Sequence, residues 1–558
     1  MHAPRLPLLR CGTVLAVLTL LWVAMSLWNF PLPGLYFDEV NHYAFIPGVL
    51  SDEAARLHHY RLPDNWLDLA DGRRRFPILG GTIYNTVLRT YLGLPFFLVT
   101  GFSVEALRVF SALIGLAALL ASTSLVGRIF GWLPALLFGL VIATDPTNVF
   151  SLRAQGGLFW LLIVFCSIAG HALLVAWRRR ELPPWWTPIV AGAAIALAVA
   201  SYFVGAFVAL PLVICGIVVF RRHPGRLAVF LAAGIIAYLP VIYALASIHF
   251  HSPQRLANFG HPSLVRERPP LFGPDNLARV TGRLRGAWGS FSFAGNVVGR
   301  KFGEAVPWRF AALVAAGLGW GWLLASRVRP RGPQGALLAV IAIACGLYVA
   351  GLFWLTSLNL HHLIPLSVMV VMATACLVAF PGVPRAAGGI ALVLLLATNA
   401  IALPAAHQKV RETGGSRYHN EVYAQPVTLL SDYPGYYPVF AGWGFHLQFL
   451  FLTRGERPYA FMRKPDHARI GRLNARHGRL AVFVGNGHRE AFLQAFSPEA
   501  ELEVRQRNGR PAYSVFFLAS PEAGEATGKA GRAGTRPTAP DPAARAHRDP
   551  PAPRAGPP

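Results

Sequence analysis

The string LYFDEVNHY places two adjacent carboxylates, Asp38 and Glu39, about ten residues beyond the first hydrophobic segment, where a membrane-spanning chain leaves the bilayer. Ionised groups at a membrane edge are costly unless they face water or take part in chemistry. Their neighbours Tyr36, Phe37, Val40 and Tyr43 are apolar or aromatic, which sets the pair apart from an ordinary polar loop. A carboxylate in this position has two chemical uses, to take a proton from a reacting group or to ligate a divalent cation. His361 and His362 open a late apolar segment, and His249, His251 and His261 lie in or beside a long polar stretch. These imidazoles are the groups that could join Glu39 around a divalent metal ion. No fixed spacing links them, so hydrogen bonding at the interface is their plainer use.

The elements that must position these groups are membrane spans. The chain is 54% hydrophobic and 14% charged, against roughly 25% charged in soluble domains. Apolar runs long enough to cross a hydrocarbon core of about 30 Å recur near 8–28, 105–125, 132–147, 157–176, 186–201, 203–220, 227–247, 307–326, 335–356, 362–380 and 387–403. About eleven spans are therefore expected in an α-helical polytopic membrane protein. The first run is too long for a cleaved secretory signal and no small-residue cleavage site follows it. With the N-terminus cytoplasmic, Arg128, Arg178, Arg179, Arg221, Arg222 and Arg385 fall in inside loops, while the short loops of the other face carry only Arg153. Counting the apolar stretch 78–100 as a span would reverse every later loop, so it reads as an interfacial or re-entrant helix.

Two long external loops, 29–104 and 248–306, complete a transmembrane unit over 1–404. Residues 405–520 read as a small external α/β domain: RLAVFVG and PAYSVFFLA are strand-like, HREAFLQAF is helical, and Asn508-Gly509 suits a hairpin turn. The tail, 521–558, is rich in Ala, Pro, Gly and Arg and is expected to be disordered. The formal charge of +25 is accounted for largely by loops facing anionic lipid headgroups, so membrane lipids are implied as partners and nucleic acid is not. All five cysteines lie in expected spans, which excludes a disulfide framework in an external domain.

Several strings then occur in an order that resembles a known family. FDEV after the first span resembles the first-loop Asp-Glu motif of the C-superfamily (GT-C) membrane glycosyltransferases, the group containing protein O-mannosyltransferases and lipid A aminoarabinose transferases. TIYNTVLRTYLGLPFFLVTG is similar to that family's juxtamembrane segment, ALRVFSALIGLAALLASTSLVGRIFG to its second span, ATDPTNVFSLRA to its second external loop, and LNLHHLIPLSVMVVMA to a late His-containing span start. The resemblance implies a polyprenyl-phosphate sugar donor, a hydroxyl acceptor in lipid, protein or glycan, inversion at the anomeric carbon, and a place in the bacterial plasma (inner) membrane. An alcohol is a poor nucleophile at neutral pH, so a carboxylate must take its proton as the bond forms, and Asp38 is the candidate base. Glu39 then orients the acceptor or ligates a divalent ion. The departing phosphate needs a fixed cation, and Arg89 and Arg153 are nominated.

The family often carries an acid shortly after the arginine of the second external loop, whereas Ala154, Gln155 and Gly156 follow Arg153 here. Asp145 is the acid left in that loop, either a site residue or a helix-end residue before Pro146. Two other readings fit an acidic pair among many spans: a lipid-linked sugar transporter or flippase, and a non-catalytic relative that binds such a lipid. Transporters tend to place ionisable groups mid-span and to show internal repeats. Neither is evident in the sequence.

Overall fold

The computed structural model describes residues 11–41, 43–50, 66–68, 75–79, 86–179, 181, 183–251, 270–326, 328, 330–355, 358–442 and 444–519. The expected tail disorder and His261 lie outside these residues, as does the side chain of His251.

The expected apolar runs fold as helices. The chain enters through α1 (Cys11–Leu27), makes two short helices, α2 (Phe37–Asn41) and α3 (Phe45–Leu50), and a two-stranded ribbon of β1 (Trp66–Asp68) and β2 (Arg75–Pro77), and continues into α4 (Leu88–Thr100). There follow α5 (Val104–Phe130), α6 (Trp132–Thr144), α7 (Pro146–Gln155), α8 (Leu158–Arg178), α9 (Trp186–Ser201), α10 (Ala206–Phe220) and α11 (Pro224–His251). After the second long loop come α12 (Pro274–Trp288), α13 (Ser292–Val298), α14 (Val306–Ala325), α15 (Pro333–Trp354), α16 (Ile364–Leu377) and α17 (Val383–Thr413). Among the described residues eight helices are long and apolar enough to cross a membrane, and α6 with α7 makes a ninth if that bent pair counts as one. The shorter α1 and α9 occupy two further expected spans. Large apolar side chains such as Ile235, Ile236, Leu318, Leu324 and Val393 are exposed on the outer faces of these helices, as a surface solvated by lipid requires. Gly192 of α9 lets α11 approach closely: a Cβ there would stand 2.1 Å from the Phe230 carbonyl oxygen.

Among the described residues of the segment 78–100 the helix is α4, whose 13 residues span about 20 Å, short of a core of about 30 Å. The short external loop expected over 145–156 is not a loop. It is α7, bent 57° from α6 and buried along its length. The reason is local: Asp145 caps the helix by accepting from the Thr147 amide at 2.8 Å, and Pro146 sits at the first helical position.

Beyond α17 the chain builds α18 (Pro426–Asp432) and a five-stranded mixed sheet in the order β4-β3-β5-β7-β6. The strands are β3 (Tyr437–Ala441), β4 (Ala460–Met462), β5 (Leu480–Gly485), β6 (Ala500–Arg505) and β7 (Pro511–Leu518), interleaved with helices α19 (His446–Leu452), α20 (His467–His477) and α21 (Arg489–Ala495). β3 runs parallel to β4 and β5, and β7 antiparallel to β5 and β6. Gly509 takes a positive φ of 78° in the β6–β7 turn, the hairpin position expected from Asn508-Gly509. All five cysteines are free.

Candidate active site

Glu39 lies on α2, fully buried, and its partner is Arg108 in the first turn of α5. The Arg108 guanidinium donates from Nη1 to Glu39 Oε1, and from Nη2 to the carbonyls of Pro33 and Gly34 at 2.8 and 2.9 Å. The Tyr36 amide donates to the other Glu39 oxygen at 3.3 Å. One arginine therefore ties the start of the first loop to the top of α5 and fixes the carboxylate of α2. Burial pushes the Glu39 carboxyl up to about 7 against the opposing pull of Arg108.

A second guanidinium closes on the same spot. Arg89 opens α4, is 2% exposed, and donates from Nη1 to the carbonyls of Gln155 and Gly156 at 2.8 and 3.2 Å. The Tyr43 hydroxyl donates to the Gly156 carbonyl at 2.7 Å, and the Arg89 guanidinium lies 5.8 Å from the Tyr43 ring centre. The α7–α8 junction can pass this close to α2 only as glycine. Gly156 has φ +55°, and a Cβ on it would stand 2.9 Å from the Tyr43 ring and 3.2 Å from the Glu39 carbonyl oxygen. The remaining Arg89 donors, Nε and Nη2, are buried and have no hydrogen-bond partner among the described residues. Its charge is felt by Glu39.

The histidines approach from the other helix ends. His361 and His362 form a single 3₁₀ turn before α16. Nδ1 of His362 accepts from the Asn359 amide at 2.8 Å, which leaves Nε2 as the donor to the Tyr202 hydroxyl at 2.7 Å. Tyr202 ends α9, and its hydroxyl is also close enough to act on the Arg89 charge. His419, beyond the end of α17, stacks on Tyr36 with ring centres 3.9 Å apart. Its imidazole is held down to about 3 by burial, with Arg108 and His361 adding to the effect. Glu39, Arg89, Arg108, Tyr43, Tyr202, His361, His362 and His419 thus converge at one end of the helix bundle. Each comes from a helix terminus or connection on that end.

The other nominated residues lie nearby in different roles. The Arg153 side chain reaches the end of α1. Nη1 donates to the Leu32 carbonyl at 2.6 Å, and Nη2 to the carbonyls of Met25, Ser26 and Trp28 at 3.1, 3.0 and 2.7 Å. These are the carbonyls that a helix C-terminus leaves unsatisfied. Asp145 caps α7 and forms a buried ion pair with Arg309 of α14 at 3.0 Å, under the Phe291 and Trp288 rings. Asp38 precedes Glu39 in α2, with its side chain outside the described atoms. Glu39, nominated as a metal ligand, presents its oxygens to Arg108 and the Tyr36 amide. Among the described residues no group of three or more His, Cys, Asp or Glu side chains could hold a metal ion. Sequence reasoning did not single out Arg108, Arg309, Tyr202 or His419. For Arg108 and Arg309 a signal existed: each is an arginine in the first turn of an apolar helix, where a charge persists only with a partner.

Helices end around a buried polar cluster, with a sheet unit on the same end, and this fold is shared with a solved structure. The chain is similar to the crystal structure of ArnT from Cupriavidus metallidurans bound to undecaprenyl phosphate, with 13% sequence identity, a TM-score of 0.54, and coverage of 91% of this chain and 98% of that one. It is also similar to the oligosaccharyltransferase of Archaeoglobus fulgidus, at 14% identity over 88% of this chain and 71% of that one, where the TM-score of 0.47 adds nothing to the fold assignment. No protein-family model matches the chain, and no curated protein matches it.

Proposed function

We propose that the chain is a glycosyltransferase that moves a sugar from a polyprenyl-phosphate donor to a hydroxyl acceptor at the external face of the membrane, with inversion. The observation that carries the reading is the convergence of α2, which bears Asp38 and Glu39, with the partly unpartnered Arg89 at one end of an apolar bundle. In this reaction the acceptor oxygen attacks the anomeric carbon, the bond from that carbon to the phosphate oxygen breaks, and Asp38 takes the hydroxyl proton. Polyprenyl phosphate departs with a growing negative charge. Arg89 meets that charge through Nε and Nη2, while Glu39 and Arg108 hold the first loop in place.

A lipid donor also needs a place for its tail. Two apolar cavities of 860 and 930 Å³ share Leu313, Cys345 and Val370 and together line a groove along α14, α15 and α16. Arg285 of α12 is among the residues that line this groove. ArnT of Cupriavidus metallidurans, whose fold is similar, is bound to undecaprenyl phosphate. Cells lacking the gene are expected to accumulate one polyprenyl-phosphate sugar and to lose one sugar from an envelope glycan, lipid or protein, both read by mass analysis. Unchanged lipid-linked sugars together with unchanged envelope glycans would overturn the reading.

Arg89→Ala is expected to lower donor use by roughly 10²-fold or more with the protein still folded. Arg153→Ala is expected to act on stability, by about 1–3 kcal/mol, because it strips the donors from the α1 carbonyls. Turnover with titrated donor and thermal unfolding of both variants check this, and wild-type donor use by Arg89→Ala removes Arg89 from the phosphate site. For the orientation, a reporter fused after residue 519 should be active outside the cytoplasm. Cytoplasmic labelling there would place the candidate site on the inner face.

A further inference from the structure

The C-terminal sheet has two buried faces, and its alternation assigns them. Phe440 of β3, Ala481 and Phe483 of β5, and Val515 and Phe517 of β7 join the core that is continuous with the bundle. That continuity runs through α19, whose Phe451 ring lies 5.4 Å from Phe97 of α4 and 5.3 Å from Phe102. The alternate residues, Val439, Ala441, Leu480, Val482, Val484, Phe516 and Leu518, form a separate core with Ile470 of α20 and Phe492 of α21. Because successive strand residues point to opposite faces, α20 lies on the side of the sheet turned away from the bundle.

The outer surface of α20 is basic. Arg469, Arg472 and Arg476 are exposed, spaced by three and four residues on one stripe about 10 Å long. Arg463, Lys464 and Arg479 flank them, also exposed, and the acid within this segment, Asp466, caps the helix by accepting from the Arg469 amide at 3.0 Å. None of these six cations takes part in an ion pair among the described residues. The contrast lies within the same unit, where Arg489 pairs with Glu501 at 2.6 Å, Arg505 with Glu503 at 2.5 Å, and Arg507 with Glu421. Among the described residues beyond 420, large apolar side chains are nearly absent from the exposed surface, with Leu493 at 37% the exception. A protein interface is centred on aromatic or aliphatic anchors, which the described residues of α20 do not present. An anionic membrane would have to be met from the bundle side. A linear polyanion in the aqueous phase needs only what α20 offers, a row of unpaired cations from which it releases counterions.

We propose that the basic stripe of α20 binds the acidic groups of a linear anionic glycan along the face of the sheet unit turned away from the bundle. This rests on the transferase reading above, of which it names the acceptor class.

The test is binding, which needs no turnover and so fails or succeeds independently of that reading. Full-length protein in phosphatidylcholine nanodiscs is titrated with polygalacturonate, dextran, polyglutamate and phosphatidylglycerol vesicles. Polygalacturonate is expected to bind, dextran not to bind, and the affinity to fall roughly tenfold between 50 and 200 mM salt. R469Q/R472Q/R476Q should lose about tenfold in affinity and R463Q/K464Q several-fold, while R489Q/E501Q, which removes a paired arginine with its partner, stays within about twofold of wild type. Transfer to a neutral acceptor should be unchanged in all three. Equal binding of dextran and polygalacturonate, undiminished binding by both charge-stripped variants, or stripe-dependent binding of polyglutamate or the vesicles without polygalacturonate would overturn the proposal.

Discussion

Asp38→Asn is expected to lower sugar transfer by about 10² to 10⁴-fold while the protein inserts and binds donor. Asparagine keeps the size and hydrogen-bonding shape of the side chain but cannot accept a proton with carboxylate basicity. The acceptor hydroxyl would then have to attack while still holding its proton, or lose it to water. The adjacent position is a poor substitute, because the Glu39 carboxylate is committed to Arg108 and the Tyr36 amide. Purified wild type and variant at equal abundance, with donor titrated to saturation, separate a loss of turnover from a loss of insertion or binding. Full transfer by Asp38→Asn would remove Asp38 as the base and require another group to take the acceptor proton.

Arg108→Gln is expected to destabilise the protein by about 3–5 kcal/mol and to abolish transfer through the first loop. The cost arises because Glu39, fully buried, is left without its counter-charge and the Pro33 and Gly34 carbonyls lose their donor. The sign of the pH dependence follows from Glu39. Its folded-state carboxyl sits near 7, above the ordinary value of 4.5, so folding takes up a proton and stability falls as pH rises through that window. Without Arg108 the carboxyl moves higher still. The deficit of Arg108→Gln relative to wild type is therefore expected to widen as pH rises above about 7 and to level off below it. Glu39→Gln combined with Arg108→Gln should recover part of the lost stability without recovering transfer, since the buried charge is gone but the loop is untied. Thermal unfolding of the single and double variants at pH 6 and pH 9 checks this. An Arg108→Gln protein as stable as wild type at both values would mean that Glu39 does not depend on the pair.

The helix bundle was legible because hydropathy over about 20 residues is a local property that lipid enforces segment by segment. Two strands of the C-terminal sheet, β5 and β7, were legible for a related reason, since they run apolar between turn residues, and Asn508-Gly509 marks the hairpin turn that leads into β7. The pair Asp38–Glu39 stood out because carboxylates among aromatic side chains at a span exit carry a cost that composition alone reveals. The helix at 146–155 was missed because its polar string reads as a loop, and only its burial against α2 and α13 makes a continuous helix favourable there. What the chain could not disclose locally was which charge meets which. Glu39 finds Arg108 across 69 positions and Asp145 finds Arg309 across 164. Arg153, nominated beside Arg89 for a phosphate, is turned instead to the carbonyls of α1. A guanidinium at a membrane edge is satisfied by whatever helix end the packing brings within about 3 Å of it. The sequence by itself therefore determined the apolar spans, two strands of the C-terminal sheet and the position of the acidic pair, whereas the partners of Glu39, Asp145 and Arg153 were decided by which helix termini the tertiary structure gathers at one end of the bundle.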